Sequence, residues 1–166
     1  MKPKRNSQFW ASFLILLVTV IFSAVAYFRW YTLGFFVGSL FFVHWLGIAA
    51  TIFIAVLVPV YYVLKRKRPK NVKTLLKLHV FGNLFSFMLV SVHFAQNTGR
   101  LSGFYPRLEE GFVLFIVLCI IVATGMIERF GARHKIVRYT KPVHRYTVAI
   151  FYFVLVFHVL QNLNIL

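Results

Sequence analysis

Five long apolar segments restrict the possible folds of this sequence more than any other feature. They cover approximately residues 8–29, 34–64, 74–97, 110–128 and 141–163. Each can cross the roughly 30 Å hydrocarbon core of a bilayer as a helix that rises about 1.5 Å per residue. Because 60% of the residues are hydrophobic and the mean hydropathy is +0.79, lipid is the expected solvent. The sequence therefore predicts an all-α integral membrane protein, a single membrane domain over residues 1–166 with five transmembrane helices.

Two of these segments contain local signals of their own. The first has a basic start and an Ala24-Val25-Ala26 triplet, which are typical of a cleavable secretory signal. Its apolar run of about twenty residues is longer than such a signal needs, so we predict a retained helix. The second segment is longer than a span requires and contains Pro59. This predicts a tilt, a kink or an extension of its last turns into the cytoplasm.

The cationic residues are distributed unequally between the two ends of the segments. The chain carries a net charge of +16 with three acidic residues, which in a soluble protein would indicate a nucleic-acid partner. Here sixteen of the nineteen Lys and Arg residues precede the first segment or lie between the second and third or the fourth and fifth, counting Lys77, Lys141 and Arg145 at the starts of the third and fifth segments. Only Arg29, Arg100 and Arg107 lie at the opposite ends. The positive-inside rule then predicts a multi-pass protein of the cell membrane, in contact with lipids rather than nucleic acid, with a cytoplasmic N-terminus and an external C-terminus.

Four histidines form two pairs with identical spacing in the third and fifth segments. His79 and His93 are fourteen residues apart, and so are His144 and His158. At about 100° per residue, fourteen steps end roughly 40° short of four full turns, so both members of a pair lie near one helix face, about 21 Å apart along the axis. Since the two segments cross in the same direction, the pairs match in depth. Two such helices side by side would form two stacked His–His sites.

These matched pairs favour haem iron over the alternatives. An ionisable side chain in a membrane span costs free energy and is usually paired or functional. A hydrogen bond across a helix interface explains one such histidine, but it leaves the doubled spacing as coincidence. Structural zinc requires four ligands at one point, whereas neutral imidazoles are standard axial ligands of haem. We predict a haem-binding helix bundle with two haem b groups, an inner one held by His79 and His144 and an outer one held by His93 and His158.

Residues near the histidines also fit a porphyrin. Gly82 lies one turn after His79, where a missing side chain allows a flat macrocycle to approach. Ser86 and Phe151 each lie midway between the two histidines of a pair, so we predict that they fill the gap between the haems. Phe151 equally fits as one of twenty phenylalanines that cover apolar surface. The topology signal alone accounts for the inner cations, but these side chains could also neutralise haem propionates: Lys77, Arg138, Lys141 and Arg145 at the inner haem, and Arg100 and Arg107 at the outer one.

The remaining candidates carry weaker signals. His44 lies in the second segment at the depth of the outer haem, where a propionate, a proton path, a quinone pocket and an interhelical hydrogen bond are all open. His134 lies in a basic connection, which favours a solvated side chain. The lone Cys119 lies inside the fourth segment and fits as a small packing residue. The absence of a Cys-x-x-Cys-His motif excludes covalently attached c-type haem.

The histidine-bearing segments resemble a known superfamily. Lys77-Leu78-His79 through Gly82 to His93, followed by Val143-His144-Arg145 through His158, are similar to the transmembrane domain of the ferric reductase and NADPH oxidase superfamily, and also to respiratory cytochrome b. The likeness covers approximately residues 34–163. It implies that the four histidines are axial ligands and that electrons pass between a cytoplasmic and an outer haem. The superfamily's sixth helix and flavin and nucleotide domain have no counterpart here, and no Gly-rich dinucleotide motif is present.

Three functions are compatible with this pattern. The first is a dihaem b-type cytochrome, an electron-transfer subunit of a hetero-oligomeric membrane oxidoreductase that serves partner redox proteins or quinone. The second is a stand-alone oxidoreductase that passes electrons from quinol to oxygen, superoxide or ferric iron, for which few proton-relaying groups are available. The third is a non-redox transport or assembly protein. The cationic cytoplasmic face fits an acidic electron-carrying partner or lipid headgroups.

The topology is testable by cysteine labelling. In a Cys119→Ala background, Ser102→Cys should react with an impermeant thiol reagent applied to intact cells, and Lys70→Cys should react only after the cells are opened, because the positive-inside rule places these positions on opposite sides. The reverse labelling pattern would invert the predicted orientation.

Overall fold

The structure, a computed structural model, describes residues 7–99, 108–131 and 134–162. Within these ranges it contains five long helices, one short β-hairpin and one turn of 3₁₀ helix. The long helices are α1 (Ser7–Tyr27), α2 (Phe42–Lys67), α3 (Val72–Thr98), α4 (Leu108–Phe130) and α5 (His134–Asn162). The hairpin pairs β1 (Phe36–Val37) with β2 (Leu40–Phe41), and the 3₁₀ turn covers Pro69–Asn71.

All five long helices have the length and composition of membrane-spanning helices. The chain is a multi-pass membrane protein, and the predicted number of spans and the all-α class are confirmed at this level. Large apolar side chains on α1 point away from the protein: Val20 is 65% exposed and Leu14 is 59% exposed. In water such surfaces would be unfavourable, but in a bilayer they contact lipid tails.

The second and fifth helices have different limits from the predicted segments. The prediction for the second began at residue 34, whereas α2 begins at Phe42 because the preceding residues form the hairpin. Gly38 has a φ of 63° in the two-residue turn, a conformation that glycine adopts without strain. The Trp45 indole N–H donates to the Val37 carbonyl over 2.9 Å and ties the hairpin to α2.

Helix α5 begins at His134, seven residues before the predicted segment. Its first two turns are cationic rather than apolar, so hydropathy alone stops short of them. Pro142 lies inside α5 and Pro59 lies inside α2, and both helices continue through these residues.

The helices form two compact units, α1 to α3 in one and α4 with α5 in the other. In the three-helix unit, α3 packs against both α1 and α2. Ser12, Thr19 and Ala26 are buried at every seventh position of α1, and such small residues let neighbouring helices approach closely. In the α4–α5 hairpin the two helices pack against each other. His79 and His93 belong to the first unit, and His144 and His158 belong to the second.

Candidate functional site

The imidazole of His93 on α3 is held by the backbone of α2. Its Nδ1 lies 2.7 Å from the carbonyl oxygen of Val43. The ring packs against Gly47, where an added methyl group would lie 3.1 Å from both Cε1 and Nδ1. Val43 precedes Gly47 by four residues, so the Val43 carbonyl also accepts the α-helical hydrogen bond from the Gly47 N–H. The Val43 oxygen therefore accepts two hydrogen bonds.

The imidazole of His144 on α5 is held in the same way by α4. Its Nδ1 lies 3.1 Å from the Ile121 carbonyl oxygen and 3.0 Å from the Thr124 hydroxyl. The Thr124 hydroxyl donates to the Ile120 carbonyl over 2.7 Å, so its oxygen is an acceptor towards the imidazole. A methyl group added to Gly125 would lie 3.2 Å from Cε1 of His144. Ile121 again precedes the glycine by four residues.

These acceptors determine which ring nitrogen carries the proton. A carbonyl oxygen only accepts hydrogen bonds, so Nδ1 is the donor in both His93 and His144. In a neutral imidazole the other nitrogen, Nε2, then presents a lone pair. At His93 the Asn97 amide nitrogen lies 3.2 Å from Nε2 and donates to it. Both rings are in the tautomer that an Nε2-bound metal requires.

His79 has a different environment. The Asn83 amide nitrogen lies 3.0 Å from His79 Nδ1 and donates to the His79 carbonyl over 2.7 Å. This amide orientation makes Nδ1 an acceptor, which places the ring proton on Nε2. The imidazole also stacks on Tyr61 of α2, with ring centroids 4.3 Å apart and an interplanar angle of 21°. Lys65 Nζ lies 5.6 Å from the centroid of the same tyrosine ring.

His158 is half-buried and faces α4 at Gly111. A methyl group added to Gly111 would lie 3.9 Å from His158 Cε1, which is an ordinary van der Waals distance. The carbonyl four residues before Gly111 belongs to Arg107, which lies outside the described residues.

The residues that face the histidines repeat the histidine spacing. On α2, Gly47 faces His93 and Tyr61 faces His79, and these two positions are fourteen residues apart. On α4, Gly125 and Gly111 face the two histidines of α5 with the same separation. Because α2 runs antiparallel to α3, and α4 runs antiparallel to α5, equal spacings on the two helices place a contact residue opposite each histidine.

The other predicted site residues are tightly packed. A methyl group on Gly82 would lie 2.5 Å from Leu57 Cδ1, so the space beside this glycine holds a leucine of α2. Ser86 is fully buried, and its hydroxyl donates to the Gly82 carbonyl over 3.0 Å. Phe151 is 4% exposed. Contact of these three residues with a cofactor stays a prediction, as does the pairing of His79 with His144 and of His93 with His158.

The structure brings His44 next to His93, with ring centroids 6.1 Å apart and an interplanar angle of 64°. Its ring is also 5.9 Å from that of Phe41. This position beside His93 is compatible with a propionate contact, a proton path or a quinone pocket, three of the roles that the sequence left open.

The cations predicted to contact propionates are only partly described. Arg138, Lys141 and Arg145 line an open surface region of α5 together with Tyr146. They repeat every three or four residues, which places them on one helix face. Lys77 is exposed. Arg100 and Arg107 lie outside the described residues, and so does the side chain of His134.

Several residues of the site were missed by the sequence reasoning. Asn83 and Asn97 each follow a histidine by four residues, and Asn162 follows His158 by the same step. This repeated His-x-x-x-Asn spacing was the available signal, because residues four apart lie next to each other on a helix. Gly47, Gly125 and Thr124 carry no comparable signal, since their roles depend on which residues face them across a helix pair.

No protein-family model, curated protein or solved structure matches the chain.

The contact between Gly82 and Leu57 generates a test of the glycine's role. Gly82→Ala should lower the stability in detergent by about 0.5–1.5 kcal/mol, because the methyl group displaces the end of the Leu57 side chain from its preferred rotamer. In the double variant Gly82→Ala/Leu57→Ala, the alanine at position 57 leaves room for the added methyl group. The loss of stability in the double variant should therefore be smaller than the summed losses of the two single variants by at least about 0.5 kcal/mol.

Unfolding curves of the two single variants and the double variant measure this coupling, and additive losses would contradict it. Haem content measured on the same samples separates the two roles of the glycine. Recovery of haem together with stability assigns Gly82 to packing, whereas recovery of stability alone assigns it to the approach of a macrocycle.

Proposed function

We propose that the chain is a dihaem b-type cytochrome subunit that carries electrons across the cell membrane, between partner redox proteins or quinol on one side and an acceptor on the other. It would resemble the transmembrane domain of the ferric reductase and NADPH oxidase superfamily. The observation that carries this proposal is the pair of equally spaced histidines on each of two membrane-spanning helices. A non-redox membrane protein leaves this repetition without a physical reason.

The side chains present fit haem b. Neutral imidazole nitrogen is a standard axial ligand, and His93 and His144 hold the tautomer with Nε2 as the lone-pair atom. When bound, haem would supply the one-electron chemistry that this function needs. In the proposed arrangement His79 and His144 hold the inner haem and His93 and His158 hold the outer one. Apolar helices around such sites exclude water and shape the potential.

Binding requires local changes at two of the ligands. At His79 the ring proton must move from Nε2 to Nδ1, and the Asn83 amide must turn so that its oxygen accepts this proton. At His93 the Asn97 amide must leave Nε2. Both changes involve rotation of an asparagine side chain one helical turn from the histidine.

The separation of the two sites suits electron transfer across a bilayer. The histidines of a pair are about 21 Å apart along the helix axis, and each porphyrin edge shortens the gap that electrons must cross. The basic connections between α2 and α3 and between α4 and α5 supply a cationic surface for an acidic redox partner or for anionic headgroups. In this proposal the electrons come from a partner redox protein or from quinol.

Single substitutions of the histidines test the proposal. His79→Ala and His144→Ala should each remove the same haem, and His93→Ala and His158→Ala should each remove the other, because a bis-histidine site needs both ligands. His44→Ala is the matched control, since it lies beside His93 in a span but belongs to neither pair, and it should retain both haems.

The measurement is the haem content of purified variants together with a redox titration of the b-type absorbance band. Loss of different haems by His79→Ala and His144→Ala would contradict the pairing. Wild-type protein that shows no b-type band after expression with sufficient haem would contradict the function itself.

A further inference from the structure

We propose that Gly47 and Gly125 are positioning residues. Each leaves a backbone carbonyl of its helix accessible, so that this carbonyl accepts a hydrogen bond from the imidazole of a haem ligand on the neighbouring helix. This inference rests on the proposed dihaem function and assigns residues that tune it. The carbonyls concerned belong to Val43 and Ile121, and the ligands are His93 and His144.

A helix carbonyl is normally occupied by the N–H four residues later and shielded by nearby side chains. Gly47 itself places no side chain beside the Val43 carbonyl, and the His93 ring lies there, with Nδ1 2.7 Å from the oxygen. A methyl group there would lie 3.1 Å from Cε1 and from Nδ1, closer than carbon atoms at their optimal separation of about 3.5–4.0 Å. A methyl group at this position would therefore push the ring a few tenths of an ångström away from the carbonyl.

The α4–α5 hairpin contains the same construction independently. The Ile121 carbonyl precedes Gly125 by four residues and accepts from His144 Nδ1 over 3.1 Å, and a methyl group on Gly125 would lie 3.2 Å from Cε1. Thr124 adds a second acceptor at 3.0 Å. Two unrelated helix pairs thus use the same glycine step to hold an imidazole by its Nδ1–H.

His79 supplies an internal contrast. Tyr61 lies fourteen residues after Gly47 on α2. It faces His79 as Gly47 faces His93, so a tyrosine takes the place of the glycine at this histidine. There the imidazole stacks on the aromatic ring and its Nδ1 is an acceptor for Asn83. Where a tyrosine side chain replaces the glycine, the histidine ring therefore has a different position, and its proton lies on Nε2 rather than Nδ1.

The construction has a consequence for redox potential. A hydrogen bond from Nδ1–H to a carbonyl fixes the ring orientation and raises the basicity of the ligating nitrogen. A more basic ligand stabilises ferric over ferrous iron and lowers the potential of its haem. Under the proposed pairing each haem has one ligand held in this way, His144 at the inner site and His93 at the outer one. Weakening either bond should raise the potential of one haem only.

Thr124→Val is the least disruptive test, since it removes the hydroxyl acceptor and preserves the side-chain shape. In the complete, haem-loaded protein it should shift the potential of the His144 haem upward and leave the other haem unchanged, whereas Thr124→Ser should retain the wild-type value. Gly125→Ala should shift the same haem, and Gly47→Ala should shift the other one. Gly111→Ala is the matched control, because a methyl group there meets His158 Cε1 only at 3.9 Å.

Redox titrations of the two b-type bands, with the low-spin ferric resonance signals recorded alongside, measure these shifts. Unchanged potentials and signals in Thr124→Val, or equal shifts of both haems in the glycine variants, would overturn the positioning role while leaving the dihaem function intact. A wild-type protein without a b-type band would overturn the proposed function and this inference with it. If a glycine variant fails to fold, the Thr124 pair alone decides the outcome.

Discussion

The need to satisfy imidazole nitrogens inside a bilayer underlies the local architecture of this protein. The hydrocarbon core of a bilayer offers no hydrogen-bond acceptor, so an N–H group within that core must find one within the protein. His93 finds the Val43 carbonyl and His144 finds the Ile121 carbonyl. Each solution requires close contact between two helices, and a glycine on the partner helix allows it. The close packing of these helices and the orientation of the two imidazole rings consequently depend on the same contacts.

This requirement also explains why equal spacings occur on facing helices. A histidine pair fourteen residues apart can be served by the same neighbour only if the neighbour repeats its contact residues at that interval. Helix α4 does so with two glycines, and α2 does so with Gly47 and Tyr61. The difference at Tyr61 makes His79 the exceptional histidine, stacked on a ring and bonded to Asn83. We expect this site to change most when a ligand binds.

The sequence predicted the number of spans and the candidate histidines, because hydropathy and a fourteen-residue spacing are properties of single helices. It placed the start of α2 eight residues early, since the hairpin of residues 36–41 is as apolar as the helix that follows. It assigned Gly82 to a macrocycle without indicating that Leu57 packs there. The roles of Gly47, Gly125 and Thr124 depend on contacts between helices, which a single sequence does not encode in any local pattern. Asn83 and Asn97 were accessible from their spacing and were overlooked.

Electron transfer through sealed proteoliposomes tests the central claim most directly. With ferricyanide trapped inside and dithionite added outside, vesicles that contain the haem-loaded protein should reduce the trapped ferricyanide, and both b-type bands should respond. Vesicles that contain His93→Ala should lose this transfer, because one of the two proposed haem sites lacks a ligand, while protein-free vesicles report leakage of the reductant. If the wild-type protein reduces the trapped ferricyanide no faster than protein-free vesicles do, the chain is not a transmembrane electron conduit.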